Sequence, residues 1–148
     1  MAGITVPIKR LDDTLDMPRY AYSGDAGLDL RAAEDAVLKP FERKLVSCGI
    51  AVAIPKGYAG FVMPRSGLAA KHGISIVNSP GLIDSNYRGE IKAILVNLDS
   101  EQEFVIKHGD RIAQIVFLET PMVTLEEVDE LSETARGAGG FGSSGVGA

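Results

Sequence analysis

Asp84 and Tyr87 lie in the segment of this chain that carries the most chemical information, Pro80–Ile91. Apolar residues enter this segment, a turn rich in Asp, Ser, Asn and Gly follows, and an alternating run leaves it, which predicts a tight β-hairpin. Asp84 comes two residues after Leu82, so both side chains are expected on one face. A carboxylate on a largely apolar face costs free energy unless it has a partner. A carboxylate and an aromatic ring on one hairpin therefore indicate part of a site.

Arg65, Ser66 and Gly67 form a second group with possible chemistry. Pro64 is expected to end a strand, and Ser66 is expected to begin a short helix as its N-cap. Free amides at the start of a helix, next to a guanidinium and a hydroxyl, can bind phosphate. The alternative is structural, a Ser cap beside a surface Arg, and this motif alone does not decide between the two.

Polar side chains also interrupt two predicted strands. Asp29 lies in a strand of alternating apolar and polar residues, where an ordinary solvated face explains it equally well. Gln114 falls on an apolar face of the strand Arg111–Glu119, and Arg111 is expected on the opposite face together with Ile115. Both faces are apolar enough that these polar groups need partners.

The last thirteen residues, 136–148, differ in composition from the rest of the chain, because six of its seventeen glycines fall there. Such a segment cannot build a core and is expected to be mobile by itself, so the simplest interpretation is a disordered end. Arg136 and Phe141 stand out within it. One guanidinium, one aromatic ring and many free amides could fold over a phosphate-bearing ligand.

The elements that must position these residues are short strands, separated by Gly, Pro, Asn or Asp at the spacing typical of sandwiches and jelly rolls. One short helix is expected at Ser66–His72, with Gly73 at its end. The segment Met122–Glu133 fits a helix or a strand, and strand is favoured. The predicted fold class is all-β, with strands at Thr5–Leu11, Gly27–Ala32, Lys44–Ile54, Tyr58–Met63, Ile74–Val77, Glu90–Leu98, Glu103–Ile106 and Arg111–Glu119.

Length and composition indicate one globular domain: 148 residues, of which 45% are hydrophobic and 24% charged. The net charge of −5 argues against a protein that coats nucleic acid, although it allows a small anionic ligand. No apolar run is long enough to span a membrane, and no signal-peptide block is seen at the start. Cys48, the single cysteine, is expected to be a small buried residue in a reducing cytoplasm. His72 and His108 lack zinc-ligand spacing.

Five of these segments, taken together and in order, resemble the five motifs of the trimeric dUTP diphosphatase (dUTPase) family. One match would be weak evidence, but five with family-like spacing make a strong case. From the residues alone the interpretation would stop at an all-β protein with a phosphate site. The matching segments are Ala26–Glu34, Pro64–Gly73, Asn78–Ile91, Gly109–Phe117 and Arg136–Gly145.

This resemblance implies a jelly-roll subunit in a homotrimer, with residues 1–135 as the β domain and residues 136–148 as an arm. Each active site would then lie between subunits: motifs one, two and four from one chain, the hairpin from a second, and the arm from the third. The implied reaction is hydrolysis of dUTP to dUMP and diphosphate with Mg²⁺, which limits uracil in DNA and supplies dUMP for thymidylate synthesis.

The resemblance also assigns roles to single residues. Asp84 would hold and deprotonate the attacking water, and Asp29 would bind Mg²⁺ through the metal's water molecules. Tyr87 would exclude a ribose 2′-hydroxyl, Phe141 would stack on uracil, and Arg136 would hold the γ-phosphate. The remaining substrate contacts are assigned to Arg65, Ser66, Gly67, Asn78, Gly81, Ile83, Lys92, Gln114, Gly142 and Ser143.

Three other functions compete with this one. A dCTP deaminase, or its bifunctional relative, resembles the family around Arg65 and Ser66 but uses a different hairpin with a catalytic Glu. A catalytically silent protein of the same fold, which senses nucleotides or binds a partner, would not need Asp84, Asp29 and the full arm. A purely structural β-sandwich would leave the polar residues unexplained.

Overall fold

The fold is all-β with one short helix, as the sequence predicts. The computed structural model describes residues 3–147; residues 1, 2 and 148, at the outer ends of the two predicted segments, lie outside the described part. Within it the elements are β1 (Ile8–Arg10), β2 (Leu28–Arg31), β3 (Ala36–Leu38), β4 (Arg43–Ser47), β5 (Ile50–Val52), β6 (Tyr58–Met63), α1 (Ser66–His72), β7 (Ile74–Ile76), β8 (Gly81–Ile83), β9 (Lys92–Asn97), β10 (Phe104–Ile106) and β11 (Arg111–Glu119).

These strands form antiparallel sheets around one core. The largest sheet has the order β2-β11-β6-β8, a second has the order β4-β9-β7, and β1 with β5 and β3 with β10 form two-stranded pairs. Alternation along β9 buries Ala93, Leu95 and Asn97, as expected for a strand with one face toward the core. Both larger sheets contribute to the same cluster of buried side chains, which includes Leu30, Val62, Ile115, Val46, Ile76 and Leu95.

The predicted β-hairpin at Pro80–Ile91 is wrong. β8 pairs with β6, whereas β9 pairs with β4 and β7, so the two strands belong to different sheets. Residues 84–91 are the connection that crosses from one sheet to the other. The local sequence marks a turn correctly, but pairing depends on partners that are distant in the chain.

Other predicted boundaries need correction as well. The single strand predicted at Lys44–Ile54 is divided into β4 and β5 around Gly49, whose φ of 68° is left-handed and breaks the extended run. β3 lies outside the predicted strands. Met122–Glu133, for which strand is favoured, contains neither strand nor helix, and Met122, Leu125 and Leu131 are all more than 80% exposed.

Helix α1 has the predicted bounds but a different cap. The N-cap residue is Arg65, in an extended conformation and without a side-chain cap hydrogen bond, so Ser66 is the first helical residue instead of the cap. Gly73 ends the helix in the left-handed conformation, and its N–H bonds to the carbonyl of Ala69, as predicted. No helix within residues 3–147 combines the length and apolar character needed to cross a membrane.

The pKa values of Cys48 and Asp12 differ from their usual values. Burial raises the pKa of the Cys48 thiol to about 12, which fits its expected role as a small core residue. Asp12 joins the N-terminal loop to the β10–β11 turn: its carboxylate lies 2.8 Å from His108 Nε2 and accepts hydrogen bonds from the hydroxyl and the N–H of Thr14. These hydrogen bonds, first that from the Thr14 hydroxyl, lower the pKa of Asp12 to about 2.

Candidate active site

One large cleft gathers polar residues from β2, β11 and the start of α1. Its volume is about 900 Å³, and we call it the arginine cleft. Every predicted site residue from motifs one, two and four lines it. Its polar and glycine lining includes Asp29, Arg65, Ser66, Gly67, Arg111 and Gln114.

An ion-pair cluster forms one wall of the arginine cleft. Asp29 Oδ1 lies 3.0 Å from Arg65 Nε, and Asp29 Oδ2 lies 3.4 Å from Arg111 Nη1. Arg65 Nη1 also donates to the backbone carbonyl of Arg111, at 3.1 Å. The Asp29 carboxylate is 22% exposed and the two guanidinium groups are more so, which leaves N–H groups free to bind an anion.

Arg111 reaches this cluster because of a β-bulge. Regular alternation would place Arg111 on the face opposite Gln114, as the sequence predicts. Arg31 pairs with Arg111 and Leu30 with Ala113, so the intervening residue of β11 is extra. The alternation is shifted by one, and Arg111 lies on the same face as Gln114. Arg111, the second cation of the cluster, is absent from the residues assigned by resemblance, because a bulge has no signal in a single sequence.

Gln114 is held in place from two sides. Its Nε2 donates to the carbonyl of Pro64 at 2.9 Å, which links β11 to the turn before α1. A β-carbon on Gly27 would lie 2.5 Å from Gln114 Oε1, so residue 27 must lack a side chain for this conformation to exist. Gly27 is thus a further residue of the cleft that the sequence prediction does not include.

A second, smaller cleft lies where β8 and the 84–91 connection meet β9. Its volume is about 270 Å³, and we call it the Asp84 cleft. None of the described residues, 3–147, lines both this cleft and the arginine cleft. All the site residues predicted from the third motif line it, together with the predicted Lys92 just after that motif: Asn78, Gly81, Ile83, Asp84, Tyr87 and Lys92.

The connection is held together by its own hydrogen bonds. Tyr87 N donates to the Asp84 carbonyl at 3.1 Å, and the Tyr87 hydroxyl donates to the Glu90 carbonyl at 2.9 Å. Arg88 Nη1 donates to the carbonyls of Ser85 and Tyr87. Asp84 and Tyr87 are therefore fixed relative to one another, although both are exposed.

The two clefts lie far apart on one chain. β2 and β8 are the opposite edges of the four-stranded sheet, three strand spacings or about 14 Å apart. Asp29 pairs with Gln114, while the register through β6 places Asp84 at the level of Leu118, which is about 13 Å further along the strand direction. The two carboxylate residues are thus on the order of 20 Å apart. No single attack at phosphorus can use both from the same chain.

The described part of the C-terminal arm, residues 136–147, lines neither of the two clefts. Its hydrogen bonds join neighbouring residues, such as Arg136 Nε to the Gly139 carbonyl at 2.7 Å and Ser143 N to the Gly140 carbonyl at 3.0 Å. Phe141 is fully exposed, and Arg136, Gly142 and Ser143 are exposed too. The predicted arm residues are therefore not brought to either cleft within this chain.

A family model for dUTPase matches residues 13–145. The chain belongs to the dUTPase family. The matched range includes all five segments identified in the sequence, and membership makes the chain one of a family of enzymes. Curated relatives of this dUTPase carry the description deoxyuridine 5′-triphosphate nucleotidohydrolase. That of Thermobifida fusca is 56% identical over 142 residues, which are 96% of this chain and 79% of the relative. That of Corynebacterium glutamicum is 54% identical over 140 residues, 95% of this chain and 94% of the relative.

Solved dUTPase structures share the fold. Staphylococcus bacteriophage 80alpha dUTPase with dUpNHpp is 31% identical, with a TM-score of 0.89 over 96% of this chain and 99% of that one. A mutant dUTPase from phage phi11 of S. aureus, described with a structural Mg(II) ion, is 26% identical, with a TM-score of 0.80 over 88% of this chain and 100% of that one. These dUTPases and the curated relatives support the diphosphatase interpretation over the deaminase one.

Proposed function

We propose that this dUTPase hydrolyses dUTP to dUMP and diphosphate in sites shared between the copies of a homotrimer. The observation that supports a site formed between copies is the separation of about 20 Å between Asp29 and Asp84 in one chain. The phosphate-binding residues and the proposed base can act together only if the arginine cleft of one copy meets the Asp84 cleft of another. A closed ring of three copies satisfies this requirement three times.

Asp84 is the proposed general base. Its carboxylate would hold a water molecule and take a proton from it while the water oxygen forms a bond to the α-phosphorus. The bond between the α-phosphorus and the bridging oxygen breaks in line, and diphosphate leaves. The hydrogen bond from Tyr87 N to the Asp84 carbonyl supports this role, because it fixes the backbone of Asp84 within the 84–91 connection and so helps to position the carboxylate.

The arginine cleft is the proposed binding site for the phosphate chain. Arg65, Ser66, Gly67 and Gln114 would donate hydrogen bonds to its oxygens. Among residues 3–147 no cluster of three or more His, Cys, Asp or Glu side chains could coordinate a metal directly. Mg²⁺ would be held by the substrate and by water, with Asp29 as the carboxylate that binds those waters, and the ion would neutralise phosphate charge.

The Asp84 cleft is the proposed site for the nucleoside. Backbone groups of Gly81 and Ile83, with the side chain of Asn78, would read the donor and acceptor pattern of uracil, and Lys92 would add a polar contact. Cytosine reverses part of that pattern, and a thymine methyl would collide with the floor. Tyr87 would pack against the deoxyribose and leave no room for a 2′-hydroxyl.

The arm completes the proposed site from a third copy. Arg136 would hold the γ-phosphate, Phe141 would stack on uracil, and Gly142 and Ser143 would donate to the phosphates. The internal hydrogen bonds of the arm leave these groups exposed and free to bind elsewhere. Closure would exclude bulk water from the site and leave only the attacking water molecule beside the substrate.

The reaction is tested with dUTP, dCTP, dTTP and UTP, each supplied with Mg²⁺, while diphosphate and ammonia release are followed. Diphosphate from dUTP alone is expected, and ammonia from dCTP would overturn the proposal. Asp84→Asn should keep dUTP binding and lose nearly all turnover; full activity in this variant would exclude Asp84 as the base.

The shared site is tested by mixing two inactive variants. Asp84→Asn and Arg65→Ala trimers are unfolded together and refolded together at equal amounts. Sites that combine an intact Asp84 cleft with an intact arginine cleft should then form in about a quarter of cases by random assortment. Activity that returns only in the mixture supports a site between copies, and a mixture as inactive as its components contradicts it.

A further inference from the structure

Gly89 contacts the ring of Tyr87 so closely that no side chain fits between them. A β-carbon on residue 89 would lie 2.5 Å from Tyr87 Cζ and 2.9 Å from Cε2, and closer still to the hydroxyl oxygen. Carbon atoms in contact are about 3.5 Å apart or more, so a side chain as small as that of alanine would move the ring by about 1 Å.

Backbone conformation does not explain this glycine. The φ angle of Gly89 lies outside the left-handed region, in contrast to that of Gly57 or Gly109. A left-handed φ is therefore not the reason for a glycine at position 89. What excludes a side chain there is the aromatic ring, two residues earlier in the chain.

The hydroxyl of Tyr87 is hydrogen-bonded to the backbone carbonyl of Glu90, a residue that is itself held in place. The Tyr87 hydroxyl donates to the Glu90 carbonyl at 2.9 Å. The Glu90 carboxylate accepts from Gly49 N at 3.2 Å and from the Ser47 hydroxyl at 3.4 Å, and Lys92 Nζ lies 3.7 Å from it. Glu90 is thus bound to the β4–β5 turn. Its carbonyl in turn fixes the Tyr87 ring relative to the rest of the domain, and Tyr87 lines the Asp84 cleft.

We propose that Gly89 is a specificity-determining residue, which holds the Tyr87 ring in the position that excludes ribonucleotides. The inference rests on the proposed function, because Tyr87 is there assigned to the sugar. It adds a residue that does not touch the substrate and acts only through the ring. A side chain at position 89 would displace the ring, break its hydrogen bond to residue 90, and free space beside the sugar.

The test compares kcat/KM for dUTP and for UTP in the wild type, Gly89→Ala, Tyr87→Ala and the double variant. The ratio of dUTP to UTP should fall by roughly 10-fold or more in Gly89→Ala, as expected when a pocket wall moves. The double variant should match Tyr87→Ala alone, because without the ring the added methyl has nothing to displace. Gly3→Ala is the matched control, since an added carbon there has no atom within 4 Å in the described part of the chain apart from residue 3 and its chain neighbours.

Three outcomes would overturn the inference. The first is an unchanged ratio in Gly89→Ala, and the second is a double variant in which the two effects add. If Gly89→Ala does not fold, removal of the ring in the double variant should restore folding, and continued failure to fold is the third. A wild type that does not hydrolyse dUTP, or that accepts UTP equally, would instead refute the proposed function, so the two failures are distinguishable.

Discussion

The carboxamide of Gln114 occupies the space beside Gly27 that a side chain on residue 27 would need. The β-carbon position of Gly27 lies 2.5 Å from Gln114 Oε1 and 3.2 Å from Cδ. Since Gln114 Nε2 is bonded to the Pro64 carbonyl, the amide cannot turn away without losing that hydrogen bond. The arginine cleft therefore depends on a glycine that offers the substrate no side chain.

Gly27→Ala is expected to lower kcat/KM for dUTP by roughly 10- to 100-fold, because a misplaced binding group costs catalysis. The measurement is steady-state kinetics of Gly27→Ala, Gln114→Ala and the double variant. If Gly27 acts through Gln114, the double variant should be no worse than Gln114→Ala. Independent, multiplying losses would contradict this explanation.

Arg111→Ala is expected to weaken substrate binding about 10-fold, because the bulge in β11 places this cation next to Asp29 and Arg65. The backbone carbonyl that holds Arg65 is unaffected by the substitution, so the fold should be preserved. KM for dUTP and the thermal midpoint are measured together. Arg43→Ala, an exposed arginine on β4, is the control that should leave KM unchanged. A wild-type KM in Arg111→Ala would exclude a role in binding.

Removal of residues 136–148 is expected to leave the trimer intact and to reduce kcat/KM by about 100-fold or more, because closure and the γ-phosphate contact are lost. The hydrogen bonds of the arm are internal, so its loss should not unfold the β domain. Mass in solution and dUTP kinetics provide the measurements. A shorter truncation that ends after Ser143 is the control and should stay close to wild type. Dissociation into monomers would assign the arm to assembly instead.

Asp12 should make the free energy of unfolding depend on pH under acidic conditions. Its pKa falls from the usual 3.8 to about 2 in the folded chain through hydrogen bonds from Thr14 and His108. A lowered folded pKa stabilises the fold above the unfolded value, and this stabilisation disappears as the pH falls from about 4 to about 2. Asp12→Asn should remove this contribution. Urea unfolding of both proteins at several pH values measures it, and identical pH slopes would contradict the prediction.

The sequence predicts the bounds of individual strands and of the helix better than it predicts which strands pair with each other. β6, β11 and α1 have the predicted bounds because alternation, Pro64 and Gly73 are local signals. The pairing of β8 with β6 instead of β9 has no local signal, because both strands would suit a hairpin equally well.

In the candidate site, too, the sequence predicts residues with a local signal and misses those that depend on distant parts of the chain. Chemistry and spacing mark Arg65, Gln114 and Asp84 as candidates, and the family resemblance assigns roles to them and to Asp29. The structure places each of the four in one of the two clefts. Arg111, Gly27 and Gly89 are absent from the predicted site. The first depends on an extra residue in the strand, and the two glycines matter only through side chains that lie against them in three dimensions.

The placement of Asp29 and Asp84 at opposite edges of one sheet has a consequence for dilute solutions. In the proposed trimer, a lone chain carries halves of two different sites and no complete one, so it cannot turn over substrate. Activity per chain should then follow the fraction of chains that are assembled, and dilution below the dissociation constant of the trimer should slow the enzyme without unfolding it. A newly made chain would be inert until it meets its neighbours, and protein abundance itself would act as the switch.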